Sequence, residues 1–326
     1  MNVKRVFKIA GIVLSILLLL LIGAAFYVTH WLPKSTLSNI QVEITPQRVE
    51  RGKYLANHVT VCIDCHSTRD WDRYSGPVVQ GSEGMGGEVF SKDMGFPGRF
   101  VSKNITPFKL KNWTDAEIFR AITQGISKDG HPMFPVMPYP NYGKLDKEDV
   151  YSIIAYLRTL PEINNTPEQS QPDFPMNIIL HLIPQEPSLS VIPKQSNTLA
   201  YGQYMVNAAG CIECHTIANN GKIDISRAFA GGREFPTNFG IIVSANITPS
   251  KTTGIGNWSA EAFVARFKAY NLPGSSLPKA ENVGYNTMMP WSMYAGMDST
   301  DLLAIYKYLR SVKPIENKVS VVKAKI

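Results

Sequence analysis

The chain has 326 residues, 44% apolar and 18% charged, which gives material for about two domains and excludes global disorder. Four Cys in that length exclude a disulfide scaffold, and a mean hydropathy of −0.08 excludes a multi-span membrane protein. A formal charge of +7 and a pI near 9.1 raise nucleic acid or an anionic surface as partners, until the charges are placed along the chain.

Residues Ile9 to Val28 form a 20-residue stretch without a charge. At about 1.5 Å per residue, a helix of that length crosses the ~30 Å hydrocarbon core of a bilayer. Lys4, Arg5 and Lys8 precede it, and no acid lies in the first 30 residues. Basic flanks stay cytoplasmic, so everything after Trp31 is expected outside the cytoplasm. A cleaved signal peptide would have a shorter apolar run ending in a small-x-small site. Here Phe26-Tyr27-Val28 follows the only small pair, Ala24-Ala25. The reading is an uncleaved anchor over residues 1–30, with Tyr27 and Trp31 at the outer interface.

Thr45-Pro46 opens the next helix, as a cap followed by Pro at the first helical position, and this helix runs towards Cys62. Cys62-Ile63-Asp64-Cys65-His66 follows, then Asn104-Ile105-Thr106-Pro107. Thr114 and Glu117 form a capping box for a helix through Ile118, Ala121 and Ile122. Met137-Pro138 comes next. Asp146 opens the last helix of this block, whose Val150, Ile153, Ile154 and Leu157 make one apolar stripe.

The block then recurs. Cys211-Ile212-Glu213-Cys214-His215 repeats the Cys motif at an offset of 149, and Asn246-Ile247-Thr248-Pro249 repeats the tetrapeptide at 142. Asn257-Trp258-Ser259 echoes Asn112-Trp113-Thr114 at 145, and Met289-Pro290 echoes Met137-Pro138 at 152. Leu302, Ile305, Tyr306 and Leu309 repeat the last stripe. Drifting offsets with persistent anchors mean two copies of one fold, over residues 45–165 and 199–315. Residues 166–198 join them and hold six Pro, which predicts an extended, semi-rigid linker. Its apolar piece, Phe174 to Ile183, is too short to span a bilayer and is expected to pack over one or both copies. Residues 316–326 make a basic tail. The expected fold is mainly α: two helical domains in tandem behind a transmembrane helix, with few strands.

All four Cys fall in the two Cys-x-x-Cys-His motifs. A redox pair needs no following His, and a zinc site wants four ligands. Cys-x-x-Cys-His is the attachment motif of c-type haem. Two thiols add to the haem vinyls as thioethers, and the next residue is placed to ligate the iron. The chain is therefore expected to carry two covalently attached haem c groups, on Cys62 and Cys65 with His66, and on Cys211 and Cys214 with His215. Met137 and Met289, each nine residues before the Asp that opens the last helix, are the expected distal iron ligands. Met133, Met288, Met293 and His131 are the rivals. Asn104 and Asn246 either donate to a haem propionate or cap a turn. Arg99 and Arg233 are weaker propionate candidates.

These motifs resemble the class I c-type cytochromes in a tandem dihaem form. Asn246-Ile247-Thr248-Pro249 to Trp258, Met289-Pro290-Trp291-Ser292-Met293-Tyr294-Ala295-Gly296-Met297 and Met137-Pro138-Tyr139-Pro140 are similar to the cytochrome subunits of membrane-bound quinoprotein alcohol and gluconate dehydrogenases. Those subunits usually carry three haem modules where this chain has two. The resemblance implies cytochrome c-like haem domains with low-spin, His/Met-ligated iron. It also implies electron transfer without enzyme activity of its own, from a membrane dehydrogenase or quinol-oxidising donor to a terminal oxidase or soluble cytochrome. The expected place is the bacterial cytoplasmic membrane, single-pass, with the haem domains facing the periplasm. The alternative is a dihaem peroxidase with one exchangeable distal position, against which both copies keep a Met-Pro. Setting aside Lys4, Arg5 and Lys8 leaves 30 basic against 26 acidic residues, or +4, which the haem propionates offset. Charge then gives no case for nucleic acid. The asymmetry that remains is the tail, with Lys318, Lys323 and Lys325 against Glu316 after Lys313.

Overall fold

The computed structural model describes residues 3–33, 35, 39–219 and 221–323. Helix α1, Val3–Trp31, takes in the whole apolar stretch and its flanks, with none of its residues in the core. It is long and apolar enough to cross a membrane. The rest is mainly helical, with eight short strands among the described residues.

Each half is built on a crossing of its first and last helices. Helix α2, Pro46–Tyr54, starts where Thr45 accepts a bond from the Arg48 amide and Pro46 needs no partner. It continues as a wider turn over Leu55–Val59. Helix α3, Asp115–Gln124, carries the full Thr114/Glu117 capping box. Helix α4, Lys147–Thr159, is capped by Asp146 and buries Val150, Ile153, Ile154 and Leu157. In the second half the equivalents are α5, Thr198–Ala208, α6, Ala260–Lys268, and α7, Ser299–Ser311. α2 crosses α4 at Gly52, where a Cβ would lie 1.8 Å from the Ser152 carbonyl oxygen. α5 crosses α7 at Gly202, where a Cβ would lie 2.1 Å from the Ala304 oxygen. Only Gly permits backbones this close, which explains why Gly persists between Arg51 and Lys53 and between Tyr201 and Gln203.

The strands form edges rather than layers. β1, Val89–Phe90, pairs antiparallel with β2, Gly98–Val101, and β2 pairs with β3, Gln171–Pro172, from the linker. β4, Ala218–Asn219, and β5, Lys222–Ile223, make a small hairpin. β6, Glu234–Thr237, pairs with β7, Gly240–Val243, and β7 with β8, Val322–Lys323. The C-terminal stretch therefore does in the second half what the start of the linker does in the first. Lys323 is not a free tail charge, because its Nζ pairs with Glu234 at 2.5 Å. Lys325 lies outside the described residues.

One apolar cluster runs through both halves, from Leu55, Ile63, Leu145 and Ile154 to Met205, Met297, Leu302 and Leu309. Reciprocal polar contacts cross it. The Tyr54 hydroxyl donates to Asp301 at 2.6 Å, and Tyr204 donates to Asp149 at 2.6 Å. The Asp298 amide donates to the Tyr54 oxygen and the Asp146 amide to the Tyr204 oxygen. His58 Nδ1 meets the Met293 carbonyl at 2.9 Å, while Asn207 Nδ2 meets the Asn141 carbonyl at 3.0 Å. Each contact joins repeat-equivalent positions in the two directions, so the halves meet as a dimer with a local twofold would. The linker crosses the first half and buries Leu180 with Phe90 and Phe100.

Candidate haem sites

Cys62–Cys65 and Cys211–Cys214 are each one turn of helix. Both turns are entered from a left-handed residue, Val61 at φ 46° and Gly210 at φ 63°. Glycine takes that conformation freely, whereas a β-branched Val there is strained. The turns are held from behind by one tyrosine each. Tyr142 donates to the Thr60 carbonyl at 2.7 Å and Tyr294 to the Ala209 carbonyl at 2.6 Å. None of the four thiols pairs with another.

The two histidines are oriented alike. His66 Nδ1 lies 2.7 Å from the Lys103 carbonyl oxygen, and His215 Nδ1 lies 2.8 Å from the Ala245 oxygen. A carbonyl only accepts, so Nδ1 carries the proton and the Nε2 lone pair is left for a metal. Burial holds both imidazoles below the ordinary histidine pKa, against the pull of that bond, and so favours the neutral form that a ligand needs. The accepting carbonyls come from the segments that follow β2 and β7 and pass close behind. Gly86 and Gly231 donate to the His66 and His215 carbonyls, and a Cβ on either glycine would strike backbone within 2.5 Å.

Lys103 and Ala245 each directly precede the recurring Asn. The Asn104 amide nitrogen donates to the Ile163 and Asn165 carbonyls, and its oxygen accepts from Thr106. Asn246 repeats this with Ile315 and Thr248. Both side chains are spent on the loop, which is the turn-capping alternative. They hold the segment whose preceding carbonyl sits on the histidine. Sequence reading missed Lys103 and Ala245 because a carbonyl has no residue type; their fixed place before the tetrapeptide was the available signal.

Met137 and Met289 stand half-buried against the core at identical turns. The Tyr139 amide donates back to the Met137 carbonyl at 2.7 Å, and the Trp291 amide to the Met289 carbonyl at 2.8 Å. Pro138 and Pro290, at ψ 55° and 65°, occupy the centre of an inverse γ-turn, which proline's fixed φ favours. Among the rivals, His131 is exposed, and Met293 is buried in the core with its carbonyl used by His58. Met133 and Met288 are half-buried. Arg99 pairs with Glu168, and Arg233 donates to the Glu213 carbonyl.

Support of the two methionine turns differs. The loop from His66 to Gly86 is four residues longer than that from His215 to Gly231. The extra length carries Ser75, fully buried at φ 69°, into the second half. Its Oγ donates to the Met289 carbonyl at 2.7 Å and accepts from the Trp291 amide at 2.9 Å, while its amide donates to Asn286 Oδ1. Arg69 holds the Ser75 carbonyl and pairs with Asp64 at 3.1 Å, so the first Cys turn is tied to the second methionine turn. Among the described residues no hydrogen bond from the second half reaches the Met137 turn.

The donor set of each half fits a covalently held haem: two thiols on one turn, an imidazole with Nε2 free, and a thioether on a fixed turn. Among the described residues no three His, Cys, Asp or Glu side chains converge as a zinc cage would require.

No family model matches the chain. Among characterised proteins, it is 31% identical over 265 residues to a diheme cytochrome c-type of Cereibacter sphaeroides, covering 78% of this chain and 83% of that one. It is 28% identical over 282 residues to the cytochrome c subunit of the quinone alcohol dehydrogenase of Gluconacetobacter polyoxogenes, covering 82% of this chain and 56% of that one. The gluconate 2-dehydrogenase cytochrome c subunit of Pantoea cypripedii is 25% identical over 287 residues, 81% of this chain and 59% of that one. The chain spans little more than half the length of these two dehydrogenase subunits.

Proposed function

The chain belongs to the diheme c-type cytochrome family, and from that premise we propose that it is a membrane-anchored carrier of single electrons with two haem c groups. Cys62 and Cys65 hold the first haem by thioether bonds, with His66 and Met137 on its iron. Cys211, Cys214, His215 and Met289 do the same for the second. The two haem domains are residues 45–165 and 199–315. When bound, the iron supplies one-electron exchange between ferrous and ferric states. The protein's part is to keep both ligands in place through each cycle. The carbonyls of Lys103 and Ala245 fix the imidazole tautomers, and the Met-Pro turns fix the thioethers. A thioether ligand favours the ferrous state and raises the potential.

The observation that carries this reading is the paired geometry: two Cys turns, each followed by a histidine whose Nδ1 is bound to a carbonyl. The relatives named as cytochrome subunits of alcohol, fructose and gluconate dehydrogenases support a membrane dehydrogenase or quinol-oxidising donor. In this reading a terminal oxidase or soluble cytochrome takes the electron. Lys4, Arg5 and Lys8 in the first turns of α1 support an orientation with both haem domains outside the cytoplasmic membrane.

Spectroscopy of single variants tests the ligands. The oxidised protein is expected to show the weak long-wavelength sulfur-to-iron band from two haems. Met137→Ala and Met289→Ala should each remove half of it and lower one potential. A spectrum unchanged in either variant refutes that ligand, and a high-spin haem in the native protein would favour a peroxidase.

A further inference from the structure

The outer end of α1 is covered on one face only. Ala25, Val28, Thr29 and Leu32 are half-buried at helical spacing, while residues 3–24 are exposed throughout. What packs there is the linker, through its short turns Met176–Ile179 and Leu180–Leu182. His181 Nδ1 meets the Leu32 carbonyl at 2.8 Å and fixes the contact. On its other side the same segment is bound to the first half. Leu180 is buried with Phe90 and Phe100, and Met176, Ile183 and Cys65 pack against that cluster.

Three of its apolar side chains are left open by both. Phe174 is 80% exposed, Leu182 58% and Ile179 40%, and residues 174–183 contain no Asp, Glu, Lys or Arg. An apolar, uncharged face is costly in water. Its neighbour says what covers it. Ala25 lies six residues inside Trp31, about 9 Å deeper along the helix. A segment packed between Ala25 and Leu32 therefore sits at the depth where headgroups meet acyl chains, the ~5–10 Å layer that interfacial helices occupy.

We propose that residues 174–183 are a second membrane contact, seated in the outer-leaflet interface beside α1 with Phe174, Ile179 and Leu182 in the lipid. This rests on α1 being the membrane anchor. A single helix would let the exported part swivel; a second contact fixes which face of the first half meets the membrane. That face is the one where Cys65 adjoins the linker, so the first haem site is held towards a membrane-bound donor.

The test uses the full-length holoprotein in vesicles of phosphatidylethanolamine and phosphatidylglycerol. The photoreactive residue p-benzoylphenylalanine replaces Phe174 or Leu182, with Leu19 in the anchor and Leu199, about as exposed but in the second half, as references. After irradiation, lipid adducts at Phe174 and Leu182 should approach the Leu19 yield and exceed the Leu199 yield about tenfold. Adducts at Leu19 with only the Leu199 level at both linker sites would overturn the second contact and leave the anchor standing. Equal adducts at Leu199 would overturn it as well. No adduct at Leu19 would overturn the anchor reading, and the second contact with it.

Discussion

The two halves share a frame and differ in what was added to it. Both cross their terminal helices at a glycine, both back the Cys turn with a tyrosine, and each gives a tyrosine to the other's aspartate. Three differences lie in the contact between them. Asp149 is paired with Arg51 as well as with Tyr204, whereas among the described residues the buried Asp301 carboxylate has the hydroxyls of Tyr54 and Tyr201 and no cation. His58 in the first half stands where the second has Asn207. The Met289 turn is clamped by Ser75 across the interface, and among the described residues the Met137 turn has no equivalent. Duplication has kept the backbone geometry that a haem needs. The charges and the support around each site have diverged.

The largest effects should come from the shared frame. Gly52→Ala and Gly202→Ala each place a methyl against a carbonyl that cannot move aside, and each should cost about 3 kcal/mol or more. Urea unfolding followed by haem absorbance measures both. A large loss in one and none in the other would break the equivalence of the halves. Next come the aspartates. Asp149→Asn leaves the Arg51 guanidinium without its carboxylate and should cost about 3 kcal/mol, low for a buried pair because the Arg51 side chain is 29% exposed. Asp301→Asn removes no cation's partner and keeps an acceptor for a tyrosine, so its cost should stay under about 1 kcal/mol. Equal losses would mean that Arg51 contributes nothing.

Ser75→Ala probes the clamp. It removes a donor from the Met289 carbonyl and an acceptor from the Trp291 amide, about 1–1.5 kcal/mol in total. Added imidazole should then displace the second haem's methionine about tenfold more readily, with the first haem unchanged. An equal change at both haems would show that the serine supports the fold at large and not that turn.

The smallest effect is a slope with pH. Burial, with Lys268 and Lys53 nearby, holds His58 below the ordinary histidine pKa, against the Met293 carbonyl and Asp298. The unfolded chain therefore takes up this proton first as pH falls. The contribution of His58 is fully present above about pH 6.5 and is lost as pH drops towards its folded value. His58→Asn, which copies Asn207, should flatten the fall in stability as pH drops below about 6.5. Denaturant midpoints across that range decide it, and an unchanged slope removes His58 as the source.

Much of this was legible in the chain. The Thr45-Pro46 start, the Thr114/Glu117 capping box and the stripe from Val150 to Leu157 depend on neighbours within one or two turns, and the structure has all three. The repeated Cys-x-x-Cys-His and Met-Pro were visible as anchors because each answers a local demand: one helical turn, a γ-turn. The role of Asn104 was visible only as a recurrence. Its partners, Ile163 and Asn165, lie about 60 residues away, and no short-range pattern distinguishes a loop cap from a cofactor donor.

What the sequence determined by itself is therefore the set of parts: an apolar helix, two copies of a haem-attachment block, and the residue types available as ligands. These follow from periodicity and from chemistry confined to a few adjacent residues. Only the tertiary structure decided how the parts support one another. The carbonyls that orient His66 and His215, the reciprocal tyrosine–aspartate bonds, Ser75 on the Met289 turn and the linker against α1 all join segments distant in sequence. Such contacts depend on where packing brings the backbone, and the amino-acid alphabet carries no mark of that.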